Sequence, residues 1–458
     1  MTKHDAIIIG TGQAGPSLAG RLTKAGMDVA IIERKLFGGT CVNTGCIPTK
    51  TLVASAYAAH MARRAADYGV LINGAVGVDM KAVKARKDAV SGKSKLGLES
   101  YLKSLKGCTV YENRAQFISA KEVAVGDQVL TGDKIFVNVG GRALVPKIPG
   151  LDEIHYLTNS SMMEVDFLPR HLIIIGGSYV GLEFAQIYRR FGSEVTVIEL
   201  APRLIAREDE DVSKAVAAIL AREGVGVRTG ADCISVRAHG ENISVQLGCT
   251  KGPDTVTGSH LLLAVGRRPN TDDLALDKAG IAFNAKGYIE VDDFLQTSVP
   301  SIWALGDCNG RGAFTHTSYN DFEIVAANLL DNEQRRVTDR IKAYNLYIDP
   351  PLGRAGMTEA EVRASGRPAL IAIMPMERVG RAFEKGETQG FMKILVDQET
   401  QLILGASLLG VGGDEVIHTI LDLMYAKAPY TVMQKAMHIH PTVSELLPTM
   451  LNDLKQLQ

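Results

Sequence analysis

Short apolar runs that stop abruptly at glycine recur along the chain, and they predict buried strands that lead into tight turns. The first run, residues 5–9, leads into Gly10, and an amphipathic stretch then continues to Ala25. A second apolar run follows and ends at Glu33. Together these features predict a strand–turn–helix–strand unit that ends in an acidic residue.

The same order of features returns later in the chain. The apolar run 172–175 precedes Gly176, a helical pattern follows, and a further apolar run ends at Glu199. Two such units predict an α/β fold with two dinucleotide-binding (Rossmann-like) domains. From about residue 340, alternating strand patterns and a closing helical region predict a third, α+β domain.

These patterns divide the chain into four expected segments. Residues 1–150 form the first part of the first dinucleotide-binding domain, and Pro149 with Gly150 marks a linker into the second domain, 151–268. Residues 269–338 contain a further strand pattern at 302–305, and we expect residues 339–458 to form the C-terminal α+β domain.

Composition and charge exclude several classes of function. The 50 Lys and Arg residues nearly balance the 51 Asp and Glu residues, which leaves no field to attract nucleic acid or an anionic membrane. No apolar run approaches the roughly 20 residues that a membrane span requires. Six cysteines in 458 residues are too few for a disulfide scaffold. We therefore expect a cytoplasmic globular protein without a nucleic acid or membrane partner.

The first glycine loop has the spacing that a diphosphate requires. Gly10 makes the tight turn, Gly12 lets the diphosphate approach, and Gly15 lets the helix pack on the strand. Glu33 stands where an acid can accept hydrogen bonds from ribose hydroxyls. The loop is therefore predicted to bind a dinucleotide.

The second loop departs from this pattern at one position. Between Gly176 and Gly181, Ser178 replaces the middle glycine and could donate a hydrogen bond to phosphate. Glu199 favours the free 2′-hydroxyl of NAD(H), whereas Arg203 and Arg207 could accommodate the additional phosphate of NADP(H). We expect the second loop to bind a nicotinamide dinucleotide, with NAD(H) preferred and NADP(H) as the alternative.

Cys41 and Cys46 stand at the start of a predicted long helix. Residues five apart on a regular helix are separated by about 7.5 Å along its axis, whereas a disulfide needs Cα atoms within about 7 Å. The pair can therefore bond only where the helix begins irregularly, as Gly45 permits. A helix N-terminus and the nearby Lys50 both favour a thiolate. A redox-active pair is favoured over two buried free cysteines or a metal site. The remaining cysteines are expected to be structural: Cys108, Cys233, Cys249 and Cys308.

The segment 38–50, Gly-Gly-Thr-Cys-Val-Asn-Thr-Gly-Cys-Ile-Pro-Thr-Lys, resembles the redox signature of the flavoprotein pyridine nucleotide–disulfide oxidoreductases. That class I family includes dihydrolipoamide dehydrogenase, glutathione reductase and mercuric reductase. The resemblance covers essentially the whole chain, through both glycine loops, the cysteine pair, the segment 304–307 and a closing His-Pro motif. It implies that 1–150 and 269–338 bind FAD, that 151–268 binds NAD(P), and that 339–458 is a dimerisation domain.

The resemblance also implies roles for individual residues. Asp307 binds the ribityl chain of FAD, and Lys50 pairs with Glu183 beside the isoalloxazine ring. Tyr179 screens the flavin until the nicotinamide arrives. Further cofactor contacts are expected at Thr40, Gly141 and Gly266.

The closing motif supplies a candidate base. Imidazole titrates near neutral pH, and a carboxylate on its second nitrogen would fix the tautomer. By resemblance, His440 is the base and Glu445 orients it, whereas His438 is expected to pack or form hydrogen bonds. In the family the base reaches the cysteines of the neighbouring subunit, so a homodimer is implied.

The implied reaction moves electrons between NAD(P)H, FAD and a Cys41–Cys46 disulfide. The tail 446–458 contains no cysteine, unlike typical mercuric reductases and large thioredoxin reductases. The closing motif favours a dihydrolipoamide dehydrogenase, with a small dithiol or a lipoylated protein as partner. The segment 314–321 is more similar to the mercuric reductase branch, so a metal reductase or the reductase of another disulfide remains an alternative.

Overall fold

The structure, a computed structural model, describes residues 1–248 and 254–457. The first 150 residues contain β1 (Thr2–Ile9), α1 (Ala14–Lys24), β2 (Val29–Ile32), α2 (Gly39–Asn43), α3 (Cys46–Arg63), α4 (Met80–Ser104), β3 (Cys108–Tyr111), β4 (Ala115–Phe117), β5 (Glu122–Val125), β6 (Gln128–Val137) and β7 (Gly141–Ala143).

The central part of the chain contains β8 (His171–Ile175), α5 (Tyr179–Phe191), β9 (Glu194–Glu199), α6 (Glu210–Arg222), β10 (Gly226–Thr229), β11 (Asp232–His239), β12 (Asn242–Gly248), β13 (Thr255–Gly258), β14 (His260–Leu263), β15 (Arg267–Pro269), β16 (Ile302–Ala304) and α7 (Thr315–Leu330). The carboxy-terminal part contains β17 (Ala343–Leu346), β18 (Leu352–Gly356), α8 (Glu359–Ala364), β19 (Ala369–Pro375), α9 (Gly380–Glu384), β20 (Phe391–Asp397), β21 (Ile403–Leu409), α10 (Gly413–Tyr425), α11 (Thr431–Lys435), α12 (Leu446–Leu451) and β22 (Lys455–Gln456).

The first sheet has seven strands and brings distant loops to one edge. Its order is β3-β2-β1-β6-β5-β4, and β16 lies parallel to the last residues of β6. Strand β1 is parallel to both β2 and β6. Gly10, Asn138 and Gly306 therefore follow neighbouring strand ends. The carboxyl edge of such a sheet is where open α/β folds bind ligands.

The second sheet is parallel, in the order β10-β9-β8-β14. A three-stranded antiparallel sheet, β11-β12-β13, packs on it. Ile173 and Leu263 from the parallel sheet share a buried core with Val245 and Val256 from the antiparallel one. The short pairing of β7 with β15 links the first and second sheets.

The carboxy-terminal sheet is antiparallel, in the order β17-β18-β21-β20-β19-β22. Ile394 and Ala406 in its central strands pack with Ile420 of α10 and Leu447 of α12. The expected α/β fold with a C-terminal α+β domain is confirmed.

Helix α4 differs from the expectation that short strands and helices alternate over residues 70–145. It runs for 25 residues, and only Met80, Lys87 and Leu102 are buried along it. A helix with so few buried positions shows almost no apolar periodicity, so its sequence lacks the signal on which the prediction depends.

The packing of α3 on α5 connects the first sheet to the rest of the molecule. Leu52 and Ala56 of α3 lie in one buried cluster with Leu182 of α5 and Leu346 of β17. This contact fixes the helix that carries Cys46 against the helix that carries Tyr179. No helix within residues 1–248 and 254–457 is long and apolar enough to cross a membrane.

We expect Gly181→Ala to destabilise the second sheet. A Cβ at Gly181 would lie 1.9 Å from the carbonyl oxygen of Gly176, so α5 would have to move away from β8. Overpacking of this kind costs roughly 1–3 kcal/mol. The midpoint of thermal unfolding should fall by several degrees.

Gly97→Ala is the matched control, because a Cβ there meets no atom within 4 Å inside α4. Its midpoint should stay the same or rise, since alanine is the better helix former. Equal midpoints for both variants would contradict the packing role of Gly181.

Candidate active site

One large cavity, of about 1280 Å³, opens where the three domains meet. Most of the residues selected from the sequence line it: Gly10, Gly12, Glu33, Thr40, Cys41, Cys46, Lys50, Gly141, Tyr179, Glu183 and Asp307. The structure therefore brings the first glycine loop, the cysteine pair and the start of α5 to one space. The other selected residues are absent from the described lining of this cavity: Gly15, Gly176, Ser178, Gly181, Glu199, Gly266, His440 and Glu445.

Close packing of the backbone requires glycine at two of the three glycine positions of the first loop. Gly10 has φ +108°, and a Cβ there would lie 2.3 Å from the carbonyl oxygen of Asn138. A Cβ at Gly15 would lie 2.3 Å from the carbonyl oxygen of Gly10. At Gly12, however, an added Cβ meets nothing nearer than 3.5 Å. Packing within the protein therefore explains why residues 10 and 15 are glycine, but it gives no reason for glycine at position 12.

Glu33 holds this loop at the end of β2. Its Oε2 accepts hydrogen bonds from the backbone N–H of Thr11 at 3.2 Å and from the Thr11 hydroxyl at 2.6 Å. Asn138, which follows β6, donates from Nδ2 to the carbonyl oxygens of Gly10 and Gly12 at 3.2 and 3.1 Å. Two neighbouring strand ends thus fix the loop.

The second glycine loop repeats this arrangement. Glu199 Oε2 accepts a 2.6 Å hydrogen bond from the N–H of Gly177, as Glu33 does from Thr11. Gly176 has φ +116°, and a Cβ there would lie 2.4 Å from the carbonyl oxygen of Ala264. Ser178 is exposed and its side chain makes no capping hydrogen bond to α5.

Asp307 lies beside an arginine that the sequence analysis did not select. Arg267 Nε is 3.4 Å from Asp307 Oδ2, and Arg267 Nη2 donates to the Thr40 hydroxyl at 3.2 Å and to the carbonyl oxygen of Gly141. Burial raises the pKa of Asp307, although Arg267 opposes that effect. Next to Arg267, Gly266 has φ +129°, a conformation that other residues rarely adopt.

The cysteine pair lies across the break between two helices. Helix α2 ends at Asn43 and α3 begins at Cys46, so the irregular helix start predicted at Gly45 is present. A Cβ at Gly45 would lie 2.9 Å from the carbonyl oxygen of Thr40. Both cysteines are free thiols in this structure.

The two thiols differ in acidity. Because Cys41 donates a hydrogen bond to its sulfur, the pKa of Cys46 is lowered to about 6, despite burial. The Thr315 hydroxyl, 2.9 Å from that sulfur, and the charge of Lys50 act in the same direction. The hydrogen bond to Cys46 and burial raise the pKa of Cys41. The geometry therefore favours a thiolate at Cys46 and a protonated thiol at Cys41.

Lys50 and Glu183 form an ion pair that joins three parts of the chain. Lys50 Nζ is 2.5 Å from Glu183 Oε2 and 4.4 Å from the ring centroid of Tyr347. The other oxygen, Glu183 Oε1, accepts a 3.0 Å hydrogen bond from the N–H of Tyr347. The pair thus connects α3, α5 and the segment after β17.

Tyr179 stands at the start of α5 among aromatic side chains. Its ring meets Tyr344 edge-on at a centroid distance of 5.5 Å and Phe314 at 6.3 Å. Phe314 and Tyr344 stack on each other at 5.3 Å. Tyr179 is half-buried and faces the cavity.

His440 and Glu445 meet each other on an exposed surface. His440 Nδ1 is 3.0 Å from Glu445 Oε2, and the side chain of His440 is 81% exposed. The neighbouring Met437 and Ile439 are also exposed. His438 instead makes a 2.9 Å hydrogen bond from Nδ1 to the carbonyl oxygen of Ser444, in agreement with the expected hydrogen-bonding role.

The remaining cysteines lack the features of a reactive thiol where the structure describes them. Burial raises the pKa of Cys108 to about 11 and that of Cys308 to about 12. Cys308 donates to the carbonyl oxygens of Leu305 and Val137 at 3.3 and 3.5 Å. Cys249 and the side chain of Cys233 lie outside the described part of the chain.

Several residues of the site were not selected from the sequence, among them Asn138, Arg267, Thr315 and Tyr347. Arg267 follows Gly266 in a turn that the pattern identified, so only its side-chain contacts were missing. Thr315 lies within the segment 314–321 but carried no signal of its own. Tyr347 contributes a backbone N–H, which no sequence pattern identifies.

Comparisons with known proteins agree with this geometry. Residues 4–321 match the family described as pyridine nucleotide-disulphide oxidoreductase. Residues 343–451 match the dimerisation domain of the same family.

The similar proteins carry several different names. The probable pyridine nucleotide-disulfide oxidoreductase RclA of Escherichia coli is 36% identical, with 99% of each chain covered. A mercuric reductase of Streptomyces lividans is 32% identical over 97% of this chain and 95% of its own. A dihydrolipoyl dehydrogenase of Chlamydia muridarum is 29% identical over 96% of this chain and 95% of its own.

A solved structure is also similar throughout. It is described as the Cu(II) complex of the HOCl-induced flavoprotein disulfide reductase RclA from Escherichia coli. The TM-score is 0.91 at 35% identity, covering 99% of this chain and all of that one.

We expect Thr315→Val to raise the pKa of Cys46 above about 6, because the variant lacks a hydroxyl that stabilises the thiolate. A hydrogen bond to a charged group is worth enough to raise the midpoint by roughly one pH unit. The rate of alkylation of Cys46 by iodoacetamide, followed by mass spectrometry across pH in the reduced protein, measures the midpoint.

Thr51→Val is the matched control on α3, since that hydroxyl donates to the carbonyl oxygen of Ile47 at 2.8 Å. It should leave the midpoint unchanged. A midpoint in Thr315→Val equal to that of the unmutated protein would contradict the assigned role of Thr315.

Proposed function

The chain belongs to the pyridine nucleotide–disulphide oxidoreductase family, whose members are FAD-dependent and use NAD(P)H, and we propose that it exchanges electrons with its disulfide substrate through Cys41 and Cys46. The observation that carries this proposal is the position of both thiols in the large cavity, with Thr315 at the sulfur of Cys46 and the Lys50–Glu183 ion pair beside them. The lowered pKa of Cys46 suits that sulfur to hold negative charge.

The first glycine loop fits the diphosphate of FAD. Glycine at position 12 has no packing reason, so the close approach of a ligand to the backbone accounts for it. Glu33, after β2, and Asp307, after β16, lie at the same edge of the first sheet and would accept hydrogen bonds from the hydroxyls of the ribose and the ribityl chain. Bound FAD supplies the two-electron relay between a nicotinamide hydride and a disulfide.

Cys41 would react with the substrate. Its sulfur attacks one sulfur of the substrate disulfide, the substrate S–S bond breaks, and one substrate thiolate leaves. Cys46 then attacks the sulfur of Cys41, which releases the second thiolate and forms the Cys41–Cys46 disulfide. Two electrons from NAD(P)H and two protons return the pair to thiols. The same steps in reverse oxidise a dithiol.

A base is required because the structure favours a protonated Cys41. His440, oriented by Glu445, would take the proton from Cys41 and return it to the leaving thiolate. Its exposed position on the dimerisation domain suits a base that serves the cavity of a second copy of the chain. A homodimer therefore completes the proposed site.

NADH is the preferred nicotinamide cofactor in this proposal. Glu199 would accept hydrogen bonds from the ribose, and its charge would repel a 2′-phosphate. Arg203 donates from Nη2 to the carbonyl oxygens of Ala206 and Glu208, at 3.2 and 3.0 Å, so its guanidinium is already engaged. Arg207 remains the exposed cation that could serve NADP(H).

For the substrate we propose a lipoyl dithiol, free or protein-bound, on the basis of the closing His-Pro motif. A second candidate is a soft metal ion, which two thiols can bind. The names of the mercuric reductases and the copper complex of the RclA protein favour that candidate.

We expect anaerobic mixing of the flavin-loaded protein with dihydrolipoamide and NAD⁺ to produce NADH, lipoamide and a proton. Absorbance of NADH measures the rate. If no NADH forms in this assay, and the protein rapidly consumes added NADH in the presence of Hg(II) or Cu(II), the metal reductase is supported instead.

Cys41→Ser is the control, since it should abolish turnover of any disulfide while FAD remains bound. Turnover at the unmutated rate in this variant would contradict the proposed role of the pair.

We expect His440→Gln to lower disulfide turnover by roughly 10²- to 10⁴-fold, the contribution typical of a general base. Mixed dimers of His440→Gln and Cys41→Ser subunits test where the base acts. If His440 serves the other subunit, each mixed dimer contains one complete site, and turnover returns to about half of the unmutated rate. Inactive mixed dimers would place the base in its own subunit and contradict the shared site.

A further inference from the structure

Tyr179 is held by a carboxylate that the proposed reaction does not use. The Tyr179 hydroxyl donates a 2.9 Å hydrogen bond to Glu208 Oε1. The hydroxyl of Tyr344, from β17, donates to the same oxygen at 2.5 Å. Glu208 is only 2% exposed, so its carboxylate is a buried acceptor shared by two tyrosines from different domains.

A buried arginine provides the countercharge for Glu208. Arg354 Nη1 is 3.9 Å from Glu208 Oε2, and Arg354 is completely buried in β18. Within the described residues, Glu208 Oε2 makes no hydrogen bond, so Oε1 makes the specific contacts. Burial, reinforced by the charge of Glu208, raises the pKa of both tyrosines, which keeps their hydroxyls protonated as donors.

The chain segment that carries Glu208 also touches the second glycine loop. It begins after Glu199, at the end of β9, and Ile205 within it donates from its N–H to the carbonyl oxygen of Gly177 at 2.9 Å. Ile205 has φ +41°, which is rare for a β-branched residue. One short, tightly folded segment thus connects the proposed NADH ribose contact to the carboxylate that holds Tyr179.

We propose that Glu208 is a latch: a positioning residue that holds the Tyr179 ring in the closed position, so that a nicotinamide ring must break the Tyr179–Glu208 hydrogen bond to enter. This inference rests on the proposed function, in which NAD(P)H binds at the second glycine loop and Tyr179 screens the flavin. The strength of the Tyr179–Glu208 hydrogen bond sets how readily the Tyr179 ring moves aside.

The latch has a measurable consequence for affinity. When only a fraction of the protein is open, the apparent dissociation constant for the nicotinamide nucleotide is the intrinsic constant divided by that fraction. Loss of a hydrogen bond to a charged group shifts such an equilibrium by about ten-fold or more. Breaking the latch should therefore tighten nucleotide binding.

The test compares equilibrium binding of NAD⁺ to the oxidised, FAD-loaded protein and to variants by isothermal titration calorimetry. Tyr179→Phe keeps the ring and removes the hydroxyl, and we expect about ten-fold tighter binding. Tyr188→Phe, on the same helix but in the core cluster with Phe191, is the matched control and should leave the dissociation constant unchanged.

Two further variants separate a latch from a structural role. Glu208→Gln should tighten binding in the otherwise unmutated protein, because a neutral amide oxygen accepts a weaker hydrogen bond than a carboxylate does. It should add nothing in Tyr179→Phe, which has no hydroxyl to donate. Tyr344→Phe should not tighten binding, since Glu208 Oε1 then bonds Tyr179 alone. Thermal unfolding checks that each variant is folded.

The outcomes distinguish the latch from the proposed function. Equal NAD⁺ affinity in Tyr179→Phe and in the unmutated protein, while the unmutated protein still turns over a disulfide, would overturn the latch alone. Failure of the unmutated protein to bind either NAD⁺ or NADP⁺ would overturn both. Tighter binding in Tyr179→Phe and not in Tyr188→Phe supports the latch.

Discussion

The ion pair between Lys50 and Glu183 is the contact on which the rest of the site depends. Lys50 lies one turn beyond Cys46 on α3, and Glu183 lies one turn beyond Tyr179 on α5. The side chain of Glu183 is only 8% exposed, so its charge needs a partner. Since Tyr347 donates to the second oxygen, the pair holds the cysteines, the aromatic side chains around Tyr179 and the carboxy-terminal domain in a single geometry.

The charge of Lys50 also favours a thiolate in the cysteine pair. A thiolate at the buried start of α3 is stabilised by the hydrogen bond from Cys41, by the Thr315 hydroxyl and by the nearby ammonium group. Burial and the hydrogen bond to Cys46 raise the pKa of Cys41, which explains why the proposed reaction needs a base. In that proposal, charge storage and substrate attack belong to different sulfurs of one pair.

The similar proteins carry names that point to different activities. RclA, the Streptomyces lividans mercuric reductase and the Chlamydia muridarum dihydrolipoyl dehydrogenase match at 36%, 32% and 29% identity, each over nearly the whole chain. Overall similarity therefore supports disulfide oxidoreductase chemistry more strongly than any one substrate. What reaches Cys41 depends on the surfaces around the cavity and, in the proposed homodimer, on the exposed region around His440.

The sequence by itself determined the elements whose signals are local. Glycine spacing, apolar runs and a terminal acid identified both glycine loops, and a disulfide between Cys41 and Cys46 required the irregular helix start at Gly45. Only the tertiary structure brought Thr315 to Cys46 across 269 residues, and Glu208 and Tyr344 to Tyr179. Periodicity reports which face of an element is buried; it carries no information about which distant side chain that face meets. Contacts between elements are decided by packing of the whole chain, and the proposed latch and the acidity of Cys46 both depend on such contacts.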